Sequence, residues 1–310
     1  MYQNRCYLSL LTNPILSFMI AVRKRFVQFL FTKFFFKKNV TESEGTMSCY
    51  EAEKLPEYTR KLIELLKLRS TPTAMKFFTK KEDMLAVPKI RVPQPGAMFT
   101  ACQMVAQTTR LNYTVGITND LLPTLQCSGI LGLISNHHFR DATHLTGKWF
   151  ETDADALAHQ RAAYLPKTRY EAVATSPMVS GRLADPDVCL VYATPQQIVF
   201  MCCGLQYEGY EKFECSFIGE SSCSDSWIRA LVTQKPCFTI PCFGERRFGG
   251  VLEDEMLMAF PPQYICKMIS GIEKLFKNGM RYPAVQYGIQ NDVRAGMGAF
   301  YDLDALRKND

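Results

Sequence analysis

The run Pro186-Asp-Val-Cys-Leu-Val-Tyr192 is β-branched and apolar enough to be a strand buried on both faces, and Thr194-Pro195-Gln196-Gln197 follows it with no linker. That tetrad supplies a capping residue, proline at the first helical position and glutamine three residues after the cap, which predicts a helix through Ile198, Met201 and Leu205. A buried strand feeding straight into a helix calls for helices layered on a sheet. The chain after Met47 continues the pattern. Residues 51–69 place Leu55, Tyr58, Leu62, Leu65 and Leu66 at helical spacing, and Ala74–Phe78 reads as a strand. Residues 97–111 read as a helix, Lys148–Thr152 as strand-like, Phe238–Cys242 as a strand, and Pro262–Lys277 as an amphipathic helix closed by Gly279. The expectation is an α/β (or α+β) fold: residues 47–310 form one globular unit with halves at about 51–170 and 171–285 and a tail at 286–310.

The two halves are weakly similar. Cys102 aligns with Cys202 at an offset of 100, Cys127 with Cys223 at 96, Gly147 with Gly244 at 97 and Phe150 with Phe248 at 98. The same register sets His144 opposite Cys242. A duplicated unit with pseudo-twofold character is the expectation, against chance alignment in a cysteine-rich chain.

Of the chain's 36 basic and 30 acidic residues, 7 and 2 lie in residues 1–46, which leaves 29 and 28 for the remainder. A body so nearly neutral has no basic stripe for phosphates, so nucleic acid is excluded as a partner. Cys6 to Val22 is a run of 17 uncharged residues broken by Thr12-Asn13-Pro14 and followed by Arg23-Lys24-Arg25. As a membrane anchor it is marginal, and as a secretory signal it lacks a small-residue cleavage site. Residues 1–46 are therefore expected to stand outside the fold, as an over-extended start, with no membrane partner unless 6–22 is a real anchor. Twelve cysteines without an export signal point to reduced thiols in the cytoplasm.

No CxxC pair is present, so a metal site has to be assembled by the fold. The candidate ligands for an iron–sulfur cluster or zinc are Cys102, Cys127, Cys202, Cys203, Cys223, Cys242 and His144. A metal-free thiol enzyme is the alternative, because Cys102 and Cys202 fall in early turns of expected helices, where the dipole lowers a thiol's pKa. Four histidines, His137, His138, His144 and His159, all lie in the first half as possible bases. A non-catalytic small-molecule binder whose cysteines are core residues is the third reading. The stretch Cys242-Phe-Gly-Glu-Arg-Arg-Phe-Gly-Gly250 offers Gly244, Arg246 and Arg247 to an anionic small molecule, or is a glycine-rich turn with solvated arginines.

The order of Cys102-Gln103, Cys127-x-Gly129, Pro186-Asp-Val, Thr194-Pro-Gln196, Cys223-x-Asp225, Pro241-Cys242-x-Gly244-x-Arg246 and Asp254-Glu255 resembles the domain of unknown function 169 family of archaea and anaerobic bacteria. The resemblance spans about residues 52–285. It implies a cytoplasmic protein of anaerobic or redox-linked metabolism and carries over no substrate, cofactor or catalytic residue.

Overall fold

The computed structural model describes residues 50–302, apart from positions 95, 123, 136, 137, 139–141, 168, 287, 290, 291, 293 and 298–300. The expectations for residues 1–46 and for His137 lie outside the described residues. In chain order the elements are α1 (Leu55–Leu66), β1 (Thr73–Phe78), α2 (Lys81–Leu85), β2 (Ile90–Arg91), α3 (Ala101–Leu111), β3 (Thr114–Thr118) and α4 (Leu125–Ile130). There follow α5 (Asp153–Ala162), β4 (Ala172–Pro177), β5 (Val188–Ala193), α6 (Pro195–Gln206), a π-helical turn (Ser224–Ile228) running into α7 (Arg229–Thr233), β6 (Cys237–Thr239), α8 (Phe243–Gly249), β7 (Met256–Phe260) and α9 (Tyr264–Lys277). No helix among the described residues is long and apolar enough to cross a membrane.

The α/β expectation holds: a seven-stranded mixed sheet runs in the order β2-β3-β4-β1-β5-β7-β6. Only β2 and β3 pair in parallel; the other neighbours are antiparallel. Period-two alternation sends Val188, Leu190 and Tyr192 of β5 to one face and Cys189, Val191 and Ala193 to the other. The first face packs on α3, α4 and the π-turn with α7. The second packs on α1, α6 and α9. Both faces are thus covered, which is why β5 carries no polar side of its own.

The local signals behave as their chemistry dictates. Thr194 and Gln197 form a reciprocal capping box that starts α6, and Thr100 with Gln103 does the same for α3, which begins at Ala101 and not at 97. Lys148–Thr152 is not a strand. Gly147 takes a positive φ of 71° and its amide donates to the Phe150 carbonyl, closing a turn there. The segment Cys242–Gly250 is a helix and not a glycine-rich turn, because Gly250 ends α8 at φ 59° as a left-handed cap. The acidic run before β7 is held by neighbouring arginines. Asp254 pairs with Arg69 at 2.8 Å, and buried Glu255 accepts from Arg110 and from the Ser70 hydroxyl at 2.9 Å.

In the sheet β4 lies between β1 and β3, and β7 lies between β5 and β6, but β4 falls within the expected second half and β2 has no counterpart beyond β6. The sequence register that aligns Cys102 with Cys202 is not followed, because α3 and α6 lie on opposite faces of the sheet. The helical segment that leads into β6, as α3 leads into β3, is headed by Cys223.

On the second face α6 and α9 cross backbone to backbone. A Cβ on Gly271 would stand 1.9 Å from the Gly204 carbonyl oxygen, and one on Gly204 would stand 2.6 Å from the Met268 carbonyl oxygen. Gly271→Ala should therefore force the helices apart and destabilise the fold by about 2 kcal/mol or more. A thermal melt that matches the unsubstituted chain would refute this close crossing.

Candidate functional site

Four of the seven proposed ligands come together on the first face. Cys102 is the second residue of α3, and Cys127 is the third of α4, its amide donating to the Thr124 hydroxyl at 3.4 Å. Cys223 heads the π-turn, and Cys242 immediately precedes α8. Gly249 lets α8 press on α3, since a Cβ there would meet the Cys102 carbonyl oxygen at 3.4 Å. A Cβ on Gly244 would lie 3.5 Å from a Glu220 carboxylate oxygen and 3.6 Å from the Cys242 sulfur, so this glycine sits between acid and thiol.

At the centre is Glu245, 1% exposed. The Tyr192 hydroxyl donates to one carboxylate oxygen at 3.1 Å and the Ser222 hydroxyl to the other at 2.9 Å. Ser222 also accepts the Cys242 amide at 2.8 Å, which fixes the start of α8. Burial pushes the Glu245 carboxyl up to about 7, with Glu220 adding to the rise while Ser222, Tyr192 and Arg246 oppose it. Sequence reasoning passed over Glu245. It stands three residues after Cys242, the N-cap position of α8, but no capping box forms there: Cys242 makes no side-chain cap bond and its amide goes to Ser222.

Burial comes first in raising all four thiols, and like charge follows it for Cys102, Cys223 and Cys242. Cys102 feels Glu245, Cys127, Cys242 and Glu220, and Cys223 feels Cys102, Cys242, Cys127 and Glu245. Cys242 feels Glu245 and Glu220, while for Cys127 hydrogen bonds from Thr124 and the Ala101 backbone partly offset burial. The expected dipole effect on Cys102 is outweighed by desolvation. Glu220 is itself raised by burial, and one of its carboxylate oxygens is buried without a hydrogen-bond partner. His159 of α5 braces this segment from outside: its Nε2 lies 3.0 Å from the Glu220 carbonyl oxygen and its ring packs on Phe150 at 5.0 Å.

The remaining candidates lie elsewhere. Cys202 packs among the second-face residues, seven residues after the start of α6 and so not in its early turns, and burial raises its thiol to about 12. Cys203 neighbours it on the same helix, and His144 is exposed on a short 3-10 turn. Arg246 donates to the Leu252 carbonyl at 2.7 Å, and Arg247 is exposed. Among the described residues, no three His, Cys, Asp or Glu side chains stand where one metal ion would bond to all of them.

A family model described as Uncharacterised ArCR matches residues 61–271, a span that contains all four thiols and Glu245. An uncharacterized protein of Methanocaldococcus jannaschii is 29% identical over 90 residues, which are 28% of this chain and 38% of that protein. The chain thus matches well under half the length of this curated relative. No solved structure matches.

The Glu245 environment has a measurable consequence for the metal-free chain. Unfolded, the carboxyl titrates near its ordinary 4.5; folded, near 7. Between these values the folded chain keeps a proton that the unfolded chain releases, so stability falls as pH rises through the window, by about 3 kcal/mol in all. Glu245→Gln keeps an acceptor for one of the two hydroxyls, presents an amide donor to the other, and should lose this pH-dependent component. Urea unfolding at the two ends of the window checks it, and an equal slope in both proteins would refute it.

Proposed function

This chain belongs to the domain of unknown function 169 family, and we propose that it is a redox protein whose four first-face thiols, Cys102, Cys127, Cys223 and Cys242, hold an iron–sulfur cluster. One observation carries the reading: four thiols and two carboxylates, Glu220 and Glu245, crowd one site and oppose one another's ionisation. Arg246 is the cation that opposes the rise at Glu245. Buried acids in such number are held ionised by a bound cation, which reverses the local pKa order and leaves the thiols as thiolates.

A cluster is preferred to zinc because, among the described residues, no three His, Cys, Asp or Glu side chains stand where one ion would bond to all of them. A single tetrahedral zinc ion with bonds of about 2.3 Å draws its sulfurs to about 3.8 Å of one another. A multinuclear cluster sits between its ligands and keeps them farther apart, which suits donors that do not converge on one ion. All ten cysteines among the described residues are free thiols, which supports a reducing, cytoplasmic setting.

A second reading has its own observation. Cys242 lines a small cavity with Glu245 behind it, the arrangement of a thiol nucleophile with a proton acceptor titrating near neutrality.

Anaerobic purification with iron and acid-labile sulfide analysis separates the two. The cluster reading expects visible charge-transfer absorbance, lost on Cys→Ser substitution at any of the four sites and kept in Cys202→Ser and Cys203→Ser. A folded chain that stays colourless and iron-free after reconstitution would overturn it. Fast, selective alkylation of Cys242 by iodoacetamide in that same chain would establish the second reading instead.

A further inference from the structure

The cavity beside Cys242 has a chemical character of its own. It measures about 260 Å³, and Cys242, Ser222, Thr239, Phe217, Ile240 and Phe243 are among its walls. None of its lining residues is charged. Its two hydroxyls are already committed: Ser222 donates to Glu245 at 2.9 Å and Thr239 donates to the Ser216 carbonyl at 2.7 Å. The Cys242 amide is spent on Ser222 at 2.8 Å. A guest that needs hydrogen-bond donors would lose its water and find these three taken, which is costly for a carbonyl group and more so for an anion.

The rim has the opposite property. Phe217, Ile240 and Phe243 are 57%, 51% and 57% exposed, and Trp149, itself 46% exposed, packs edge-on against Phe243 at 5.4 Å. Each keeps apolar surface in water that burial against a ligand would recover at roughly 25 cal/mol per Å². Exposed apolar groups gathered at the mouth of a cavity mark a binding site more often than scattered ones do.

We propose that this cavity binds a small, uncharged, apolar molecule, of the size of one ring or a short alkyl chain, and brings it against the Cys242 sulfur. Arg246 and Arg247 do not line it, so an anionic ligand has no counter-charge there. What the ligand meets at the floor rests on the proposed thiol centre; the selection for an apolar guest rests on the walls alone.

The test uses the full chain as isolated and three probes that share a ring and differ in charge: cyclohexanol, cyclohexanecarboxylate and cyclohexylammonium. The chain has two tryptophans, and Trp227 is fully buried, so a change in emission that is lost in Trp149→Phe reports on the cavity mouth. Cyclohexanol should shift the emission saturably, and the two ions should bind about tenfold more weakly or worse. Ile240→Asp, a change at a half-exposed rim position, should weaken cyclohexanol binding by about tenfold. Tighter binding of the carboxylate, or no saturable response to cyclohexanol, overturns the proposal. Iron analysis of the same preparation keeps the two readings apart: binding without iron sinks the cluster alone, and iron without binding sinks the cavity proposal alone.

Discussion

The first face of this protein is organised around a carboxylate that has no business in an apolar layer unless it is fully hydrogen-bonded. Glu245 meets that condition by taking one donor from the sheet, Tyr192 at the end of β5, and one from the loop before the π-turn, Ser222. Removing either donor would leave an unsatisfied buried oxygen, so the two bonds lock α8 to both partners. Because Ser222 also receives the Cys242 amide, the same contacts place that sulfur at the head of α8. Gly249, at the other end of the helix, then packs against Cys102 of α3. The thiol grouping is thus a by-product of how one acid is satisfied.

That arrangement also explains why the thiols are not ready nucleophiles in the metal-free chain. Desolvation and the mutual repulsion of six acids hold Cys102 and Cys223 protonated well beyond the ordinary thiol range. A helix N-terminus contributes a partial charge near half a unit, too little to offset a neighbouring full carboxylate in the same dry layer. A bound cation is the perturbation large enough to reverse the order, which is the physical link between the site's electrostatics and the proposed cluster.

Much of the fold was legible wherever a local rule sufficed. The capping box at Thr194 and the apolar run of β5 are self-contained signals, and both elements form as their chemistry predicts. β4 and β7 are bounded by Ser176-Pro177 and Pro261-Pro262, yet Ala-Val-Ala-Thr-Ser-Pro and Met-Leu-Met-Ala-Phe show no period-two alternation and become strands through the partners on either side. At the site, Cys102, Cys127, Cys223 and Cys242 could be chosen by type and order. What set Cys202 apart from them was the face of the sheet on which its helix lies, and a cysteine count carries no such information. Glu245 was hidden by reading glycines as a turn, when Gly249 serves close packing and Gly250 the helix end.

The central claim is that four cysteines from four segments act as one site. Prolonged alkylation at alkaline pH, continued until all four label in the metal-free chain and mapped by mass spectrometry before and after anaerobic loading with iron and sulfide, tests it most directly. The account predicts that Cys102, Cys127, Cys223 and Cys242 become protected together while exposed Cys215 and second-face Cys203 label as before. Protection that falls on Cys202 and Cys203 instead, or on none of the four, would contradict it.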